Sequence, residues 1–113
     1  NNVFINFNGI IMDNAEVTIG DDVRIGPNVG VYTVNHAIDP DERAKGICIC
    51  KPVHIGNKVW FGADVKVLAG VTIGDGSIIG AGSVVTKSIP AGVIAAGNPC
   101  KVIRKINEND RIE

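Results

Sequence analysis

Aliphatic residues recur along this chain with a period of six. Ile19, Ile25 and Val31 form one run; Ile55, Phe61, Val67, Ile73, Ile79 and Val85 form a second. Two residues before each stands another small or apolar side chain: Val17, Val23, Val29, Val53, Val59, Val65, Val71, Ser77 and Ser83. In Val17-Thr18-Ile19 the first and third side chains share one face and the second points away, as on a strand. Gly20, Gly26, Gly56, Gly62, Gly74 or Gly80 follows in most units, and glycine accepts backbone angles that a corner demands. Each hexad therefore reads as a short strand followed by a corner.

A hexad cannot bury its own aliphatic face, but stacked coils can, which makes the repeat a solenoid. Three hexads close a triangular coil. The spacing then predicts Ile55 below Ile73, Phe61 below Ile79 and Val67 below Val85. Ordinary antiparallel strands would not hold one spacing over nine positions. Ile5 and Ile11 extend the pattern with a two-residue slip before Ile19. One domain over residues 1–113 is expected for this length.

The rhythm stops between Asn35 and Pro52, eighteen residues, yet Val31 and Ile55 remain twenty-four apart, a multiple of six. A degenerate coil would point Ala37, Arg43 and Ile49 inward, burying an unpaired arginine at high cost. The segment Asp39–Gly46 is polar and turn-rich. A loop extruded from one corner and returning to it is the expected form, and long loops without a repeat of their own often carry function. His36, one of two histidines, opens this loop. His54, between Val53 and Ile55, is expected to point outward as a surface residue.

Composition adds limits. The chain is 45% hydrophobic but 4% aromatic, so the core is aliphatic. Net charge is −1, which supplies no global attraction to nucleic acid or anionic membrane. No apolar run approaches the ~20 residues that span a bilayer, and no signal peptide is visible. Cys48, Cys50 and Cys100 make an odd set with one C-x-C pair, a poor disulfide framework that fits a reducing, cytoplasmic setting. Nothing near the pair completes a metal ligand set.

The hexads, the loop with "VNHAID", the run "NKVWFGADVKVLAGVTIGDGSIIGAGSVVTKSIP" and the closing "AAGNPCKVIRKI" resemble the hexapeptide-repeat acyltransferases, in particular the galactoside/maltose O-acetyltransferase group. The resemblance runs from "INFNGIIMD" to "VIRKI". It implies an all-β fold, a left-handed parallel β-helix with an extruded loop around 35–52 and a short helical or irregular C-terminal tail. Members of the family usually carry an N-terminal helical segment, for which this sequence has no counterpart.

The resemblance also implies chemistry: acetyl transfer from acetyl-CoA to a hydroxyl of a sugar or sugar-like molecule, with no metal required. His36 falls where the family has its general base, and an imidazole, with a reference pKa of about 6.5, can take and return a proton in one turnover. The thioester is already activated, and the family gives no support to a covalent route through Cys48 or Cys50. Asn6 helps place the acceptor, with Phe4, Asp13 and Asn14 in the acceptor region. The backbone N–H of Ala63 is the candidate oxyanion donor. Trp60 flanks the reacting end of the pantetheine, Gly62, Ala63, Ala81 and Gly82 offer a small-residue surface to it, and Thr86 and Lys87 end that run. Lys101 and Arg104 match positions that meet the nucleotide phosphates. The family packs three prisms around a threefold axis, which implies a homotrimer with sites between subunits.

Three positions depart from the sugar enzymes: Phe4 replaces a tyrosine, Asn14 an acid and Ile47 a glutamate. They leave the acceptor open, a hydroxyl-bearing antibiotic included. Two other readings of such a fold compete. A γ-carbonic-anhydrase zinc site draws on three histidines, and this chain has two. An ice-binding or scaffold β-helix would show a regular outward threonine ladder, whereas the middle residues are Thr18, Arg24, Gly30, His54, Trp60, Lys66, Thr72, Ile78 and Val84.

Overall fold

Backbone hydrogen bonds stack the hexads into three parallel faces in the computed structural model, which describes all 113 residues. The first face stacks Phe4–Ile5, Arg24–Ile25, Trp60–Phe61, Ile78–Ile79 and Val93–Ala96. The second stacks Ile10–Met12, Gly30–Tyr32, Lys66–Val67 and Val84–Val85. The third stacks Val17–Ile19, Val53–Ile55 and Thr72–Ile73, with Ile89 bridged to Ile73. The chain visits the faces in that order, so the solenoid is a three-sided parallel β-helix. The predicted pairs Ile55–Ile73, Phe61–Ile79 and Val67–Val85 are in register. The slip before Ile19 is absorbed at a corner: Ile5 pairs with Ile25 and Ile11 with Val31.

The inward residues form one cluster of 18 buried side chains, and Phe61 is the largest that is fully buried. Burying each aliphatic side chain is worth roughly 1.5–3 kcal/mol, so the cluster dominates stability. Ser77 and Ser83 are buried too and are fully partnered. Ser77 Oγ donates to Pro90 O at 2.6 Å and accepts from Val93 N at 3.2 Å. Ser83 Oγ donates to Gly80 O at 2.6 Å and accepts from Gly97 N at 3.0 Å. Burial pushes the Cys100 thiol up from its usual value.

The corners correct the sequence reading in one respect. The glycine after each strand is not the left-handed residue. That conformation falls two positions later, at Asp22, Asn28, Lys58, Asp64, Gly76 and Gly82. The first glycine serves close approach instead: a Cβ on Gly62 would stand 2.7 Å from Ala81 N, and one on Gly26 would stand 2.9 Å from Gly62 C. Stacked coils touch backbone to backbone there.

The interruption is an arm and not a coil. Val34–His36 pairs antiparallel with Cys48–Cys50, and Lys51 N donates to Thr33 O at 2.9 Å, so the arm leaves and returns at one corner. Its far end is a short helix, Pro40–Ala44, N-capped by Asp39, whose carboxylate accepts from Glu42 N. Arg43 stays exposed, with its guanidinium on the carbonyls of Ala37 and Ile38. The tail also differs from expectation. Lys101–Lys105 is a strand antiparallel to Val93–Ala96, and only Glu108–Asp110 forms a 3-10 turn. This strand covers the open edge of the last coil, where unpaired backbone would otherwise face solvent.

Candidate active site

The outward side of the first face aligns Phe4, Arg24, Trp60, Ile78 and Ile94 in one row, and the closing strand adds Arg104 opposite Ile94. From Trp60 to Arg104 is three interstrand steps, about 14 Å at ~4.8 Å each. Trp60 is 53% exposed although it is the largest side chain in the protein. Phe4, Asn6 and Trp60 line one cavity of about 290 Å³ together with Arg24, Ile25 and Gly26. Arg24 was not singled out from the sequence. The only signal was its place as the middle residue of a hexad, which registers it between Phe4 and Trp60.

The corner between first and second faces carries Asn6, Gly26-Pro27, Gly62-Ala63 and Gly80-Ala81-Gly82. Asn6 closes its own turn, its side-chain oxygen accepting from Phe7 N at 2.8 Å. Ala63 N–H has no hydrogen-bond partner. The corner between third and first faces explains why. There Asp21 N donates to Asn57 Oδ1 and Asn57 N donates to Asp75 Oδ1, both at 2.7 Å, so each amide is held by the side chain one coil above. Above Ala63 stands Ala81, which offers no acceptor. An alanine in place of Asn or Asp leaves the amide open.

The corner between second and third faces holds the other half of the predicted set. Asp13 and Asn14 lie there, below the root of the arm. Thr33, fully buried, ties the two together: its Oγ1 donates to Met12 O at 2.7 Å and accepts from Ala15 N at 3.0 Å. Thr86 and Lys87 occupy the same corner higher up, after Val84–Val85. His36 is exposed on the arm and shares a cavity of about 420 Å³ with Asn35, Ile38, Ile49 and Lys51. Its Nδ1 lies 3.6 Å from Cys48 Sγ. Ile47 is exposed two residues before Ile49.

A triangle places each corner opposite one face. His36, Asp13, Asn14, Thr86 and Lys87 sit on the corner opposite the first face, which carries Phe4, Trp60 and Arg104. Within one chain the structure therefore does not bring His36 into the cavity of Trp60 and Asn6. The predicted residues fall into two half-sites on different sides of the prism.

The basic end also departs from a simple picture. Lys101 is exposed without an ion pair. Arg104 is engaged, donating from both terminal nitrogens to Asp110 at 2.9 and 2.8 Å. That guanidinium, with the backbone N–H of Asn107, holds the Asp110 carboxyl down at about 2, and Asp110 in turn raises Arg104 above its ordinary value. His54 is half-buried on the third face, its Nδ1 2.6 Å from Thr18 Oγ1. It borders the largest cavity, about 530 Å³, which also holds Thr72, Asp75 and Gly74 but none of the site residues expected from the sequence.

Two family models match the repeats. One, described as bacterial transferase hexapeptide (six repeats), covers residues 52–87; the other, hexapeptide repeat of succinyl-transferase, covers residues 16–35. The chain belongs to the hexapeptide-repeat acyltransferase family. Within it, the chain is similar to the galactoside O-acetyltransferase of Escherichia coli, 51% identical over 110 residues that make up 97% of this chain and 54% of the relative. The galactoside O-acetyltransferase of Lactococcus lactis is 48% identical over 96% of this chain and 52% of its own. The chain thus spans about half the length of these relatives. Among solved structures, a hexapeptide-repeat acetyltransferase of Vibrio cholerae complexed with acetyl coenzyme A matches with a TM-score of 0.91 and 40% identity, over 94% of this chain and 58% of that one. A galactoside acetyltransferase in complex with coenzyme A matches with a TM-score of 0.87 and 47% identity, over 94% and 57%. No helix here is long and apolar enough to cross a membrane.

Proposed function

We propose that this chain carries the catalytic groups of an acetyl-CoA-dependent O-acetyltransferase acting on a hydroxyl of a sugar or sugar-like small molecule. The observation that carries the reading is the open N–H of Ala63, at the corner beside the exposed Trp60, on the face whose outward row ends in Arg104. The row and the corner beside it suit an extended pantetheine: Trp60 at one end, the small residues Gly62, Ala63, Ala81 and Gly82 along the corner, and the basic groups Lys101 and Arg104 at the other. Acetyl-CoA supplies a thioester carbonyl already activated for attack. His36 takes the proton of the acceptor hydroxyl as its oxygen attacks that carbonyl, and returns it to the departing sulfur. The Ala63 N–H donates to the oxygen on which charge develops; such a donor is worth roughly 3–4 kcal/mol. Asn6 orients the acceptor from the same corner. Lys101 meets the nucleotide phosphates, and Arg104 joins it on release from Asp110.

Because the two half-sites lie on opposite sides of one prism, the reading requires that copies meet. His36 of one subunit then faces Trp60 and Ala63 of the next, in a closed ring of three such as the family forms. The coil hand is left, as the family implies, and the setting is the cytoplasm. Acetyl-CoA consumption measured against a panel of sugars and hydroxyl-bearing antibiotics tests the activity and the acceptor class. His36→Ala is expected to lose at least about a hundredfold in rate, as for a removed general base, while still binding CoA. Unchanged turnover in that variant would contradict the mechanism.

A further inference from the structure

We propose that Cys48 is a positioning residue that holds His36 in the tautomer protonated at Nδ1, leaving the Nε2 lone pair free. The inference rests on the reading of His36 as general base and goes beyond it, to what sets the state of the ring. His36 and Cys48 stand directly opposite each other in the antiparallel arm. The Cys48 sulfur lies 3.6 Å from His36 Nδ1 and 3.5 Å from Gly46 O.

Proton counting fixes the direction. A thiol has one hydrogen, and a carbonyl oxygen can only accept. The S–H donates to Gly46 O, so the sulfur can only accept from the ring. Nδ1 must then carry the proton, and Nε2 is left as the base. A neutral imidazole has one donor and one acceptor nitrogen, and the partner of one decides the role of the other. The carbonyl is itself fixed. Gly46 adopts a left-handed φ of +83 where the chain leaves the helix Pro40–Ala44, and its N–H donates to Arg43 O at 3.0 Å. The relay Nδ1–H to Sγ–H to Gly46 O is thus anchored in the arm's own turn. No other side chain hydrogen-bonds to the ring.

The tautomer is read by nitrogen-15 NMR of the imidazole in the full chain, at about pH 7.5, above the reference imidazole value of about 6.5 and below the reference thiol value of about 8.5, so that the ring is neutral and the S–H is kept. The wild-type ring is expected to be protonated at Nδ1. In Cys48→Ala the population is expected to shift toward Nε2–H, and Cys48→Ser, whose hydroxyl can donate and accept in the same way, is expected to restore it. The kinetic counterpart is a fall in kcat of about five- to fiftyfold in Cys48→Ala, short of full loss of a general base, with KM for acetyl-CoA unchanged and rescue in Cys48→Ser. A wild-type ring protonated at Nε2, beside a His36→Ala variant that has lost turnover, overturns the positioning role and leaves the base in place. A ring protonated at Nδ1, beside a His36→Ala variant with full turnover, removes the base and the role of Cys48 with it.

Discussion

The hydrogen bond that Ala63 N–H does not make is the one that Asn57 N–H makes at the neighbouring corner. One hexad position thus has two uses, and the side chain one coil above decides between them. Pro27 occupies the same position one coil below Ala63, so the backbone there accepts a residue with no N–H at all. Ala63→Pro is therefore a clean removal of one donor. Its expected effect is a loss of roughly 10²–10³ in kcat, in the range of a deleted oxyanion donor, with a thermal midpoint close to wild type. A variant that folds normally and turns over at full rate would remove Ala63 from the site. Sequence reading reached Ala63 through resemblance. The reason its amide is open lies eighteen residues away in Ala81, and only the stacking register makes the two neighbours.

At the scale of elements, the strands were legible because burial enforces the period: the inward pairs in the regular coils are the ones that spacing marks. The corners were legible in place but not in cause. Glycine marks them, yet the left-handed residue follows two positions later, often as Asp, Asn or Lys, and the glycine itself yields space to the next coil. The two roles separate by substitution. Gly62→Ala places a Cβ 2.7 Å from backbone nitrogen and is expected to cost about 1–3 kcal/mol by overpacking, with the coil forced apart. Gly82→Ala meets nothing within 4 Å but holds φ at +75, and is expected to cost about 1–2 kcal/mol from conformation alone. Gly62→Ala is expected to be the more costly of the two, and equilibrium denaturation of both variants checks that ordering. Similar small losses in both would show that coil contact is looser than the register implies.

The arm was legible as a loop that leaves and returns at one corner, but its internal structure and that of the tail were not. Their secondary structure depends on a cap at Asp39 and on the pairing of Lys101–Lys105, neither of which is periodic. The Arg104–Asp110 contact was likewise hidden, because the 3-10 turn brings residues six apart together. It carries a pH signature. A carboxyl depressed to about 2 in the folded chain from about 3.8 stabilises the docked tail above the higher value, and that stabilisation is lost as pH falls through the lower. Carbon-13 titration of Asp110 is expected to show a midpoint near 2 in the wild type and a higher one in Arg104→Ala, still below the ordinary carboxylate value because the Asn107 N–H remains. Equal midpoints in the two would mean that the pair does not persist in solution.

For the whole molecule, the decisive feature is the separation of the half-sites. Counting hexads assigns each residue to a face, so the division was in principle available from the sequence. It gained meaning only when the cavities placed Phe4, Asn6 and Trp60 together and His36 elsewhere. A stiff aliphatic prism cannot bend to join them, so the proposed chemistry requires a pair of copies. Mixing two defective variants tests this most directly. His36→Ala retains an intact first face, and Ala63→Pro retains an intact arm. Assembled together from dissociated subunits, they create interfaces in which a wild-type His36 meets a wild-type Ala63. Acetyl-CoA turnover well above either parent is the predicted result. A mixture that stays at the level of its parents, with mixed assemblies demonstrated, would contradict a site shared between copies.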